Sequence, residues 1–374
     1  MVIKDRVYTW FIRNVVIPKT EIIDESGFII SRFSPSKEIA LREIFIGENF
    51  IQNLENKAKF HEQILYSIGK NFGYNYAYIS GLPTIKKVPK NNFLSFANLM
   101  VRYIETLYAS SLKHNITLET KTFTLKMQNY IVCSKNGLGY IFSEGGITGI
   151  WSYACQDPTI EAVQPKCQGR GDKECEVIAA PYETLVKMGY KPIRCTKLEK
   201  SQLTQEYKKL NEIKATKWAT KSLKTLIDSG FFKYSHGQVT YKGERFFLCE
   251  ASFMYILEKE LKKVRNGLKI LWDCSFDFGK RLAQLTGKQD HCKFVMDFFP
   301  ALGFGDILAI EKGGRYEIIV RCFPWHQWAK EIDFTMFRGM LSGVISGFSD
   351  RKVELKKIKK DTREGNLSLY ITES

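Results

Sequence analysis

Apolar and polar residues alternate through SGFIISRF from Ser26 and through ALREIFIG up to Gly47, on either side of a Ser/Pro turn. That two-residue period predicts a hairpin of half-buried strands. The period then lengthens: ENFIQNLENKAKFHEQILYSIGKNFG places Phe50, Leu54, Phe60, Ile64, Leu65 and Ile68 broadly on one face, which predicts a helix. Further strands are expected at YIVCS (130–134) and YEIIVRCF (316–323). GGITGIWSYAC and RGMLSGVISGF read as helices whose glycines let another element approach closely.

The same order of features recurs. Thirty residues from Ser26 align without gaps, at a constant offset of 203, with thirty from Ser229. Seven pairs are identical: Ser26, Gly27, Phe28, Arg42, Phe50, Leu54 and Glu55 match Ser229, Gly230, Phe231, Arg245, Phe253, Leu257 and Glu258. Each stretch continues into Phe-Gly (Phe72-Gly73; Phe278-Gly279), a Gly-x-x-x-Gly segment (Gly145 and Gly149; Gly339 and Gly343), and a short strand-like run (from Ile160; from Val353). Such internal order is the signature of a duplicated unit. The expectation is therefore an α+β protein of two similar domains, 1–190 and 215–374, each a mainly antiparallel sheet covered by helices. A basic, helical linker at 191–214 joins them.

Composition narrows the setting. No run approaches the roughly 18–20 apolar residues of a membrane span, and the N-terminus lacks the apolar segment of a signal peptide, so a cytoplasmic location is expected. Nine cysteines, an odd number, argue for reduced thiols over a disulfide framework. A net charge of +16 would attract nucleic acid or an acidic protein, although the lysines are spread and not gathered into one stripe.

Five cysteines come early: Cys133, Cys155, Cys167, Cys175 and Cys195. In CQGRGDKECEV, Cys167 and Cys175 flank a Gly-Arg-Gly-Asp turn, and Cys133 and Cys155 lie upstream. Thiolates brought together across such a turn can meet at one ion, and soft sulfur selects zinc or iron over magnesium or calcium. Reduced, packed thiols are the alternative reading of the same spacing.

IEAVQPKCQGRGDKECEV resembles the closing signature of the 4-vinyl reductase domain family, in which a strand leads to a first Cys, a Gly-Asp turn, and a second Cys eight positions on. GYIFSEGGITGIW is similar to the glycine-rich helix that precedes that signature, and FHEQILYSIGKNFG to an earlier helix. The likeness covers most of 25–180 by motif order, with the cysteine pair its one specific element. It implies a ligand-binding α/β fold, a hydrophobic or aromatic small molecule in a pocket, and a structural zinc (iron less so) held by Cys167 and Cys175. Two departures stand out. Gln164 occupies the position of the family's carboxylate, and the family's upstream cysteine, expected near Tyr140 or Ile141, is missing. Cys155 or Cys133 is then the expected replacement. In the second half Lys360 and Ser368 stand where the cysteines would be, so no metal is expected there.

Signs of catalysis are absent from the sequence. No GxSxG, P-loop, HExxH or GxGxxG occurs, and the five histidines have no metal or catalytic spacing. The expectation is a non-catalytic sensor, carrier or adaptor that acts through a small molecule and a protein partner. A nucleic-acid-associated regulator, with ATKSLKTLIDSGFFKYSHGQVTYKGERFF as helix, turn and wing, is the alternative, and an accessory protein of tetrapyrrole metabolism a third. Aromatic residues at Trp151, Tyr153, Phe294, Phe298, Phe299, Trp325 and Trp328 fill a core or line a cavity.

Overall fold

The computed structural model describes residues 21–32, 40–195, 198, 217–235, 238–287, 289–324, 331–361 and 366–370. The first half runs β1 (Glu21–Glu25), β2 (Phe28–Arg32), β3 (Ala40–Gly47), α1 (Glu48–Lys57), α2 (Glu62–Ile79), α3 (Lys90–Tyr108), β4 (Ser111–Thr117) and β5 (Thr122–Gln128). A π-helical segment (Tyr140–Gly146) leads into α4 (Ile147–Cys155), then β6 (Ile160–Lys166), β7 (Cys175–Pro181) and the short α5 (Tyr182–Lys187). The second half has α6 (Leu223–Asp228), β8 (Lys233–Ser235), β9 (Gln238–Tyr241), β10 (Glu244–Glu250), α7 (Ser252–Leu261), α8 (Gly267–Thr286) and α9 (His291–Ala301). It ends with β11 (Asp306–Lys312), β12 (Arg315–Arg321), α10 (Thr335–Ser349), β13 (Lys356–Asp361) and β14 (Asn366–Tyr370).

The fold is mixed α and β, and every strand pairing described is antiparallel. Two four-stranded sheets share one order, β4-β5-β7-β6 and β11-β12-β14-β13. A third sheet, β1-β2-β3-β10-β9-β8, is built jointly by both halves through β3 and β10. At its centre Phe45 faces Leu248, a residue 203 positions further along the chain.

Several sequence expectations shift. The helix from Glu48 is broken into α1 and α2 by the 3-10 turn Lys59–His61, because Phe60 is 85% exposed and the buried stripe restarts at Leu65 and Ile68. YIVCS is not a strand: β5 ends at Gln128, and Cys133 opens a helical turn, Cys133–Asn136. The run from Val353 becomes a strand only at Lys356. The helix expected at 191–214 falls almost entirely outside the described residues, as do Trp325 and Trp328, and 191–195 carry no helix.

The residues identical between the halves hold matching places. Arg42 donates to the carbonyls of Gly27 (2.8 Å), Gly303 (3.0 Å) and Cys322 (3.3 Å), and Arg245 to those of Asn129 (3.1 Å) and Tyr108 (3.3 Å). Each arginine thus reaches the backbone just past a strand of the opposite half, at Cys322 and Asn129, both with φ +51°. Glu55 on α1 accepts from the N–H groups of Gly139 and Ile141 (3.0 Å each), where the π-helical segment starts. Glu258 on α7 accepts from the N–H groups of Asp333 (2.8 Å) and Thr335 (2.9 Å), where α10 starts. Carboxylates at helix N-termini satisfy donors that have no partner within the helix. The helix crossings match too: a Cβ at Gly73 would sit 2.1 Å from the Gly146 carbonyl oxygen, and one at Gly279 would sit 2.0 Å from that of Met340.

Candidate metal centre

Two segments of the first half converge: the turn at Cys133 and the connection of the β6–β7 hairpin. A register irregularity between Val163 and Lys166 turns the end of β6 towards the 3-10 turn Gln168–Arg170, so Cys167 closes one strand and Cys175 opens the next. Asp172 fixes the loop by accepting from the Cys167 N–H (2.8 Å). Arg170 clamps it with bonds to the carbonyls of Gly137 (2.9 Å) and Gln164. Gly169 is required here, because a Cβ would lie 2.2 Å from the Cys133 carbonyl oxygen. Close approach at that point delivers the Cys133 turn to the hairpin.

The Sγ atoms of Cys133, Cys167 and Cys175 all lie within 4.8 Å of one another, and Cys133 and Cys175 are 3.4 Å apart. All three side chains are buried. Zinc bonded to sulfur at about 2.3 Å in a tetrahedron separates its thiolates by roughly 3.8 Å, so the three thiols can hold one metal ion. Thiol hydrogen bonds from Cys133 and Cys175 pull the Cys167 pKa down, while its Sγ also lies 3.1 Å from the Cys133 carbonyl oxygen. The bond to Cys167, then that to Cys175, raises Cys133 in return.

Gln164 supplies the fourth side. Its Nε2 is 3.3 Å from Cys133 Sγ, while its Oε1 is buried and has no hydrogen-bond partner. Exchanging the two ends of the amide would turn that oxygen to the cluster. A buried polar atom without a partner costs about 1–3 kcal/mol; the three thiols form a donor set that fits a bound cation, and the Gln164 oxygen would join it only in the exchanged orientation.

The four cysteines expected at the site divide. Cys133, Cys167 and Cys175 come together, whereas Cys155, at the end of α4, is outside the cluster; burial pushes its thiol up to about 12. Near Tyr140 and Ile141, where the upstream ligand was expected, the chain forms the π-helical segment, and the Ile141 N–H is committed to Glu55. Cys133 reaches the cluster because Val132, at φ +65°, throws the chain into the helical turn; no strand would do so.

A cavity of about 60 Å³ lies where the same half meets β10 of the second, lined by Phe72, Tyr76, Tyr108, Tyr130, Phe142 and the two carboxyl-bearing residues Glu43 and Glu250, among others. None of the described aromatic residues singled out from the sequence lines it. Trp151 is buried with its Nε1 bonded to the Lys121 carbonyl (2.7 Å), and Phe294, Phe298 and Phe299 are packed in the second half. Of the cavity residues, Phe72 and Gly73 are the first Phe-Gly of the repeated pattern, a signal for a helix and not for a cavity.

A buried ion pair lies elsewhere in the first half. Lys70 pairs with Glu161 (2.9 Å), which also accepts from the Tyr66 hydroxyl (2.6 Å) and the Cys195 N–H (3.0 Å). The segment read as helix, turn and wing contributes α6 and β8–β10; β10 is interior to the six-stranded sheet, and Arg245 at its start is partly buried and bonded to backbone carbonyls. No described helix is long and apolar enough to cross a membrane. No family model matches the chain, and no curated protein matches it.

Proposed function

We propose that this chain is a non-catalytic, tandem small-molecule-binding protein of the 4-vinyl reductase domain type, with a structural zinc in its first half. The observation that carries the reading is the convergence of Cys133, Cys167 and Cys175, with Gln164 against them, around one buried point. Three thiolates and an amide oxygen would close a four-coordinate shell and leave no position for a substrate, so the ion would clasp the Cys133 turn to the hairpin and activate no water. The aromatic cavity beside α2 and α3 supplies the place for an apolar ligand.

Duplication is part of the same proposal. It is supported by the repeated sheet order, by the facing of Phe45 and Leu248 at the offset found in the sequence, and by the matching bonds of Arg42 with Arg245 and Glu55 with Glu258. A local twofold axis through the β3–β10 seam would make the chain a fused counterpart of a symmetric dimer.

The test is metal content by plasma emission, beside native mass spectrometry, for the wild-type chain and for Cys167→Ser. One zinc per wild-type chain, lost in the variant, is expected. A metal-free wild-type chain that melts as Cys167→Ser does would sink the metal site.

A further inference from the structure

The floor of the cavity lies on the seam between the two halves. On one face of that seam the facing pairs are Glu43 with Glu250, Phe45 with Leu248, and Gly47 with Phe246. At the offset of 203, Glu43 corresponds to Phe246 and Gly47 to Glu250, so the first and third pairs occupy equivalent places on either side of the central one.

The two places are filled in opposite ways. At the second-half end, Gly47 allows the Phe278 ring to lie on the strand: a Cβ there would be 2.1 Å from Phe278 Cζ. Phe246 packs beside it, with ring centroids 6.1 Å from Phe278 and 5.8 Å from Phe298. At the first-half end Phe72 stands where Phe278 does, but two glutamates replace the glycine and the phenylalanine, and the cavity lies above them.

Two carboxyls facing each other across a strand pair repel, and burying them adds a desolvation cost. Both are buried; the Glu43 carboxyl accepts a bond from Ser31 Oγ (2.6 Å), and the Glu250 carboxyl accepts from the Ser252 N–H (3.1 Å) and Oγ. An apolar pair was available at this position, as Phe246 and Gly47 demonstrate. The bonds to Ser31 and Ser252 hold the two carboxyls in place, and a cation seated between them would relieve their repulsion.

We propose that this cavity binds a small organic cation, with an ammonium group seated between Glu43 and Glu250 and a short apolar body against Phe72, Tyr76 and Tyr130. The assignment deepens the ligand-binding reading above and rests on it. An ammonium offers three donors and one positive charge to the two carboxyls, and its CH₂ groups and the aromatic faces around it suit each other. Burial, with Glu250 adding repulsion, pushes Glu43 up to about 8, the direction that a seated cation reverses. Size sets the class: about 60 Å³ is well short of the roughly 150 Å³ that holds benzene, and far too small for a tetrapyrrole.

The experiment is titration calorimetry of the intact, metal-loaded chain with n-propylammonium chloride, 1-propanol and sodium propionate. A ligand of four non-hydrogen atoms reaches a Kd of about 40 μM at best, so probes are needed into the millimolar range. Saturable binding of the ammonium at least tenfold tighter than the alcohol is expected, with no binding of the carboxylate. Glu43→Gln, which retains its bond to Ser31, is expected to weaken the ammonium at least threefold, and the Glu43→Gln/Glu250→Gln pair at least tenfold. Equal binding of 1-propanol and the ammonium, or ammonium binding unchanged in Glu43→Gln, would overturn the cation assignment and leave the ligand-binding reading standing. Failure of all three probes to saturate would sink both.

Discussion

Alanine at Phe278 is expected to cost far more stability than alanine at Phe72, although the two rings hold equivalent places on α8 and α2. Phe278 is 2% exposed, lies against Gly47, and has ring neighbours Phe50 and Phe246 at centroid distances of 6.4 and 6.1 Å. Removing it leaves a closed void between sheet and helix, and buried Phe→Ala changes of this kind cost about 3–5 kcal/mol. Phe72 is only half-buried and already borders a cavity. Its loss removes the ring's contacts with Phe142 and Phe253 but enlarges a space that exists, for which transfer of the ring alone gives about 1–2 kcal/mol. Urea unfolding followed by circular dichroism separates the cases. With a slope of about 3 kcal/mol per M, Phe278→Ala would lower the midpoint by more than 1 M and Phe72→Ala by about 0.5 M. Equal shifts, or a larger one for Phe72→Ala, would refute both the correspondence of the two sites and the reading that one is filled and the other hollow.

Other consequences are open to direct measurement. If zinc is held at a thousandfold over its Kd, Cys167→Ser should forfeit about 4 kcal/mol, or roughly 8–16 °C in Tm by calorimetry, and a chelator should lower the wild-type Tm similarly. Because Glu43 binds its proton more tightly in the folded chain, its stabilising contribution is complete below pH 4.5 and is lost as pH rises towards about 8. Glu43→Gln should therefore flatten the fall in stability over that window by up to about 1.4 kcal/mol per pH unit, leaving the part due to Glu144, which burial also raises to about 8. Lys70→Met should cost about 3–5 kcal/mol in urea unfolding, since it strands the Glu161 carboxylate in the core. Gly279→Ala drives a methyl into the Met340 carbonyl oxygen and should destabilise by about 1–3 kcal/mol; a neutral result would mean that α8 and α10 are free to separate.

Much of the local structure was legible in the order of residues alone, because the hydrophobic period depends only on neighbours along the chain. The alternation of SGFIISRF and ALREIFIG marks the antiparallel β2–β3 pair, the apolar stripe marks α2, and Phe-Gly and Gly-x-x-x-Gly mark helices that touch backbone to backbone. The identities at Arg42 with Arg245 and Glu55 with Glu258 could be found as sequence matches, but their work could not, since each bonds to backbone groups far along the chain.

The sequence by itself determined which residues could serve a metal: soft sulfur at Cys167 and Cys175 around a Gly-Asp turn, with Cys155 and Cys133 as the further candidates. Tertiary structure decided which thiol joins them. Ligand convergence is a matter of three-dimensional distance, and the turn at Cys133 delivers its sulfur, whereas α4 leaves Cys155 elsewhere. The joining of β3 to β10 and the cavity above Glu43 and Glu250 belong to tertiary structure as well. Two buried strands of similar apolarity carry no code for each other, and a cavity is the space that side chains from separate elements leave unfilled when they pack.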